Sequence, residues 1–117
     1  MQFDIQTKGF SLTDSIRDYA KRRLRFALNR NDKHIVRVKV RLADINGPRG
    51  GIDKRCQIDL TLAGHNNIVV EDIEADLYIA IDRASDRCER TLSRHLERSR
   101  EFRPKPLNSS AIQKPLR

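Results

Sequence analysis

Five arginines, Arg83, Arg87, Arg90, Arg94 and Arg98, recur at steps of four, three, four and four within the stretch DRASDRCERTLSRHLERSRE. At about 100° per residue they fall within an arc about 80° wide on one side of a helix. Such a row is suited to one kind of chemistry. A guanidinium fork donates paired hydrogen bonds to phosphate or carboxylate oxygens. Successive members rise about 4.5 to 6 Å, comparable with the spacing of phosphates along a nucleic-acid strand. Two readings fit: a ridge facing phosphates, or a solvated helix face knitted by ion pairs. For the second, Asp86 stands within reach of Arg83 and Arg90, Glu97 of Arg94, and Glu101 of Arg98. Each pair contributes roughly a few tenths of a kcal/mol. Arg87 has no acid three or four positions away, and such gains do not require five arginines on one edge.

A second cationic stretch, YAKRRLRFALNR (residues 19 to 30), holds Lys21, Arg22, Arg23, Arg25 and Arg30 without one acid. On a helical wheel Arg17, Lys21 and Arg25 share the polar face. Arg22 and Arg23 border the apolar stripe, where long stems lie over the core and project their charge outward. Cations in a last helical turn also offset the terminal carbonyls. Two such helices on one sheet are expected to line a shared basic groove.

These residues need a scaffold, and 117 residues allow one domain with one core. FDIQT (3 to 7) alternates as a short strand. Ser11 or Thr13 caps a first helix with Asp14 in its first turn, and Leu12, Ile16, Tyr19, Ala20, Leu24 and Ala27 carry its apolar stripe to about residue 28. HIVRVKVRLAD (34 to 44) alternates, with Val36, Val38, Val40 and Leu42 on one side and Arg37, Lys39 and Arg41 on the other. INGPRGGID forms a long hairpin tip, CQIDLTLAG and IVVEDI are two further strands, and GHNN is the turn between them. Asp76 caps a second helix whose buried stripe is Leu77, Ile81, Ala84, Cys88, Leu92 and then His95 or Leu96. The expectation is an α+β fold of order β-α-β-β-β-α, a four-stranded sheet with both helices packed on one face. The domain spans 1–100, followed by a flexible, proline-containing basic tail over 101–117.

Composition bounds the function. There are 24 Lys and Arg against 16 Asp and Glu, a net charge of +8, and the excess is concentrated outside the central strands. Residues 1 to 32 carry 7 basic and 4 acidic groups, 33 to 75 carry 7 and 6, and 76 to 117 carry 10 and 6. This favours a polyanionic partner, nucleic acid above all. No apolar run is long enough for a membrane span, and the start reads as a strand rather than a secretory signal. Cys56 and Cys88 fall on apolar faces and belong to no CxxC, as expected of buried reduced thiols in a cytoplasmic protein. The outward sheet residues Arg37, Lys39, Arg41, Gln57, Asp59 and Thr61 include no aromatic, so the sheet is not a base-stacking platform. Recognition of the backbone of a structured RNA or a DNA duplex remains. The spacing of His34, His65, His95, Cys56 and Cys88, with Asp59, Asp72 or Glu74, matches no metal or triad arrangement, so no catalytic residue, metal or cofactor is expected.

DLYIAIDRASDRCERTLSRHLER resembles the DMYAAID…DKLxRQLxKHK segment of the ribosome hibernation promoting factors, a family of ribosome-associated translation inhibitors, in its short form. LTDSIRDYAKRRL is similar to that family's (I/L)TEALREYxxKKL. Asp76, Tyr78, Ala80, Ile81 and Asp82 match the start of the second helix, and His95 matches a histidine. Arg87, Arg90, Arg94 and Arg98, with Arg17, Arg22 and Arg23, stand at basic positions. The resemblance spans roughly residues 1 to 98. It implies a non-enzymatic protein, expected as a monomer, whose partners are the small ribosomal subunit and its rRNA. Bound in the channel between head and body, it would exclude messenger and transfer RNA and hold ribosomes in store under stress. On that footing the RNA-binding set is Arg17, Lys21, Arg22, Arg23, Arg25, Arg83, Arg87, Arg90, Arg94 and Arg98. Arg83 departs from a small family residue and Phe26 from a lysine. The tip DINGPRGGIDKR is longer than the family's and carries Arg49, Lys54 and Arg55, as an RNA-contacting finger or a loose loop. As a short form the chain is expected to lack a second, dimerising domain after residue 98, and the short forms include both promoters and blockers of ribosome pairing. The rival reading is a general structured-RNA-binding or RNA-chaperone module without ribosome preference.

Overall fold

The computed structural model describes residues 1–45 and 52–102. The order is β1 (Gln2–Lys8), α1 (Asp14–Leu28), a 3-10 turn (Asn29–His34), β2 (Ile35–Asp44), β3 (Lys54–Leu62), β4 (Ile68–Glu74) and α2 (Leu77–Phe102). The strands form one sheet in the order β1-β2-β3-β4. The β2-β3-β4 meander is antiparallel, and β1 joins β2 in parallel across the α1 crossover. This is the expected α+β architecture, with both helices on the apolar face of a mixed sheet.

Residues of even number on β2, β3 and β4 supply the sheet's half of the core. Val38, Val40, Leu42, Cys56, Ile58 and Leu60 are all at most 1% exposed. Against them α1 sets Ala20, Leu24, Ala27 and Leu28, and α2 sets Ala80, Ile81, Ala84, Cys88, Leu92 and Leu96. Thr13 is the N-cap of α1, its Oγ1 accepting from the Ile16 amide at 3.2 Å. Asp76 does the same for α2, accepting from the Tyr78 amide at 2.8 Å. Each cap satisfies a donor that the first helical turn leaves without a partner.

The strand pattern needs one correction. Val36, expected inward with Val38, is half exposed at 51%, while Ile35 is buried. A register shift between Ile35 and Arg37 inserts one residue into the ladder and turns Val36 outward. The hairpin also differs at its base. Lys54 and Arg55 belong to β3 rather than to the tip. The Lys54 ammonium reaches Asp53 at 2.9 Å and Asp44 at 3.3 Å, closing the two strands like a clasp. Gly9 makes the neighbouring turn with φ +91°, where a Cβ would stand 3.1 Å from the Asp44 carbonyl oxygen. Both the dihedral and the approach demand glycine. The finger-or-loop alternative concerns 46–51 and most of the expected tail concerns 103–117, outside the described residues. Residues 101 and 102, expected in the tail, instead continue α2.

Candidate nucleic-acid interface

The two helices are parallel to each other, because each follows a strand of the same direction and returns across the sheet. Their seam is polar at its outer edge. The Tyr19 hydroxyl donates to Asp82 at 2.5 Å, Arg23 reaches Asp82 at 3.3 Å, and Arg23 also pairs with Asp86. Tyr19 meets Tyr78 edge to face, with ring centroids 4.8 Å apart. The carboxylate beside it holds the Tyr19 phenol above its ordinary range, chiefly through that hydrogen bond. Asp82 and Asp86 thus turn toward Arg23 in the seam while remaining partly exposed. The expected open groove between the helices is at this level a packed seam, and Arg23 has its charge balanced there.

Of the other cations of α1, Arg17, Lys21 and Arg25 lie toward the β1 edge and Arg22 rests on Tyr19 of the seam. Arg17 and Lys21 line a shallow depression with Phe3, Asp4 and Ile5 of the edge strand β1. The Arg25 guanidinium lies over the Phe3 ring, 5.4 Å from its centroid, and Arg22 over Tyr19 at 5.9 Å. Both contacts hold the guanidinium over a ring while the residue stays exposed.

The α2 row divides in two. Arg83 stands 3.6 Å from Glu74, and Arg87 stands 3.6 Å from Asp72 while donating to the Glu71 carbonyl at 2.7 Å. These arginines lean over the edge strand β4. Asp72 and Glu74 share the inward parity of Ile68 and Val70, so the alternation of β4 carries two acids under the helix. Their proximity raises the Glu74 carboxyl above its ordinary value, first through its hydrogen bond with Asp72 and then through burial. Arg90 and Arg94 belong to the other half. They line an outward depression with Glu89, Ser93 and Glu97, and make no ion pair among the described residues. Arg98 is exposed one turn on. None of the ion pairs found for Arg83, Arg87 or Asp86 lies within α2, so the pairing proposed within that helix is replaced by pairing to α1 and β4.

Three features escaped sequence reasoning. Asp72 and Glu74 were legible in strand parity. Phe26 is 81% exposed between arginines. The third is a gathering of His34, His65 and His95, whose rings stand 6.5 and 5.5 Å apart in sequence from the first pair to the second. They come from three separate elements, and no spacing announces the meeting. Among the described residues no group of three His, Cys, Asp or Glu side chains is arranged to hold a metal ion. Among the same residues no helix is long and apolar enough to cross a membrane.

On the outer sheet face, Lys39 is in register with Asp4 and Asp59, and Arg41 with Gln6 and Gln57. Its charges are interleaved, and the exposed aromatics, Phe26 and Tyr78, lie on the helices instead.

The sequence matches the family model described as "Sigma 54 modulation protein / S30EA ribosomal protein" over residues 3–100. It is 29% identical over 113 residues to a ribosome hibernation promotion factor of Deinococcus radiodurans. That match covers 93% of this chain and 58% of the relative, so the chain spans a little over half of the relative's length. The fold is similar to the Protein Y N-terminal domain of Thermus thermophilus, with TM-score 0.66 and 34% identity over 80% of this chain and 98% of that one. A ribosomal subunit interface protein from Coxiella burnetii shares the fold at TM-score 0.69 and 18% identity, covering 83% of this chain and 99% of that one. The chain belongs to the Sigma 54 modulation protein / S30EA ribosomal protein family, whose members act by binding rather than by catalysis.

Proposed function

We propose that residues 1–100 bind the small ribosomal subunit near the decoding channel and reversibly inhibit translation by excluding messenger and transfer RNA, so that ribosomes are stored under stress. The observation that carries this reading is the display of cations along both helices. Arg17, Lys21 and Arg22 on α1 and Arg90, Arg94 and Arg98 on α2 hold no ion pair among the described residues and stand on the helical layer. Contacts of this kind read the path of a folded RNA backbone and give affinity that falls with salt. Arg25 adds to the α1 group, Arg83 and Arg87 serve from the β4 edge, and Arg23 acts through the seam. A ribosome hibernation promotion factor among the relatives supports the ribosome as the particle bound.

Sedimentation with purified 30S subunits, 50S subunits and 70S ribosomes tests it. Co-migration with 30S and 70S but not 50S is expected, and it is lost when messenger and transfer RNA already occupy the channel. Equal binding to all three particles, dissolving together as salt rises, would instead establish a general structured-RNA module.

A further inference from the structure

Phe26 lies near the C-terminal end of α1 and is 81% exposed, the largest exposure of any large apolar side chain among the described residues. Phe3 and Phe10 pack against the core, so the fold can cover an aromatic where it needs one. Leaving a phenyl ring in water forgoes the gain of burying it, and nothing in the core requires a ring at this position. Its surroundings are cationic. Arg22 is one turn before it and Arg30 four residues after it, both exposed, and residues 19 to 30 contain no acid. The nearest cations already committed are Arg23, in the seam, and Arg25, over Phe3.

We infer that Phe26 is a stacking platform for an unpaired RNA base, whose flanking phosphates are taken by Arg22 and Arg30. An exposed ring with exposed arginines four residues to either side, Arg30 and an Arg22 that rests over Tyr19, fits a ligand that is flat and apolar in its middle and anionic on both sides. A nucleobase with its phosphates has that form. A second copy of this chain would bring the same cations to the contact and be repelled. The inference rests on the proposed binding of ribosomal RNA and adds to it a contact that reads a base instead of the backbone.

The chain contains no tryptophan, so Phe26→Trp gives a single indole at the platform. The full-length variant is titrated with a short single-stranded RNA, with a duplex of the same sequence, and with inorganic polyphosphate as an anion without bases. Anisotropy of labelled RNA follows binding in parallel. Single-stranded RNA is expected to quench the indole, and polyphosphate to leave it bright. Phe26→Ala weakens single-strand binding roughly tenfold and leaves duplex binding unchanged, with helicity by circular dichroism as the check on folding. Quenching by polyphosphate equal to that by RNA, bound RNA without quenching, or no binding of single-stranded RNA would each overturn the platform. So would self-association that Phe26→Ala abolishes. Sedimentation of the unsubstituted protein with 30S subunits is read separately, so a failed platform and a failed ribosome assignment give different results.

Discussion

Arg23 of α1 and Asp86 of α2, 63 positions apart in sequence, meet across the helix seam in a charged hydrogen bond. The pair is partly exposed, with side chains 23% and 49% accessible, so solvent screens it. Arg23→Ala is expected to lower the unfolding free energy by about 1 kcal/mol in urea denaturation. Arg23→Glu, which faces Asp82 and Asp86 with a third carboxylate, is expected to cost more. If Arg23 instead served RNA alone, Arg23→Ala would leave the urea midpoint where it was and weaken only subunit binding.

The α2 row predicts two classes of mutant. Arg90→Glu with Arg94→Glu reverses charges that hold no ion pair among the described residues. The double variant should unfold like the parent and bind 30S subunits at least about a hundredfold more weakly, with the slope of log affinity against log salt shallower by roughly 1.5. Arg83→Glu with Arg87→Glu sets carboxylates against Glu74 and Asp72, so its melting temperature falls as well. Retention of full 30S affinity by a folded Arg90/Arg94 double variant would remove the outer ridge from the mechanism.

Glu74 predicts a pH dependence. Its carboxyl is held above the ordinary value of 4.5 by the hydrogen bond with Asp72 and by burial, against the opposing pull of Arg83. A carboxyl that binds its proton more tightly in the folded state contributes stability below about pH 4.5 and loses it as the pH climbs through the raised value. The urea midpoint of the parent, measured relative to Glu74→Gln, should therefore fall between weakly acidic and neutral pH. A difference that stays flat from pH 4 to 8 would show that the carboxyl titrates alike in both states.

Both thiols should be chemically silent in the folded protein. Burial pushes Cys56 and Cys88 up to about 12, with the Asp72 carboxylate adding to the effect at Cys56. At pH 8 the thiolate fraction is on the order of one in ten thousand. Ellman's reagent should label neither within minutes under native conditions and both in concentrated guanidinium. Rapid native labelling would mean that the core opens at Cys56 or Cys88 far more often than its packing implies.

Repetition and alternation made much of the fold legible, because the helix stripes and the strands of β2, β3 and β4 each repeat a pattern several times. Val36 escaped because a single inserted residue reverses parity without leaving any mark in composition. Asp86 escaped for a different reason. Local spacing offers it Arg83 and Arg90, and only the docking of α1 supplies Arg23, a partner that no window of sequence contains. The cations of the candidate interface were visible as residues. Which of them remain available depended on the acids of β4 and of the seam, and those are tertiary facts. Phe26 is a departure from the family, and its exposure follows from its place on the outward face of α1, between buried Leu24 and buried Ala27 and Leu28.

Parallel pairing of β1 with β2 also orders the assembly of the molecule in time. The meander of β2, β3 and β4 closes through hairpins whose partners are near in sequence, whereas Gln2 must find Arg37 across a whole helix. Such distant closures are the slow ones, because the chain gives up its freedom before any contact repays it. The seam partners of α1 are moreover synthesised well after it, Asp86 standing 63 positions beyond Arg23. A nascent chain therefore holds the cationic segment 19–30 without its seam partners until α2 has emerged.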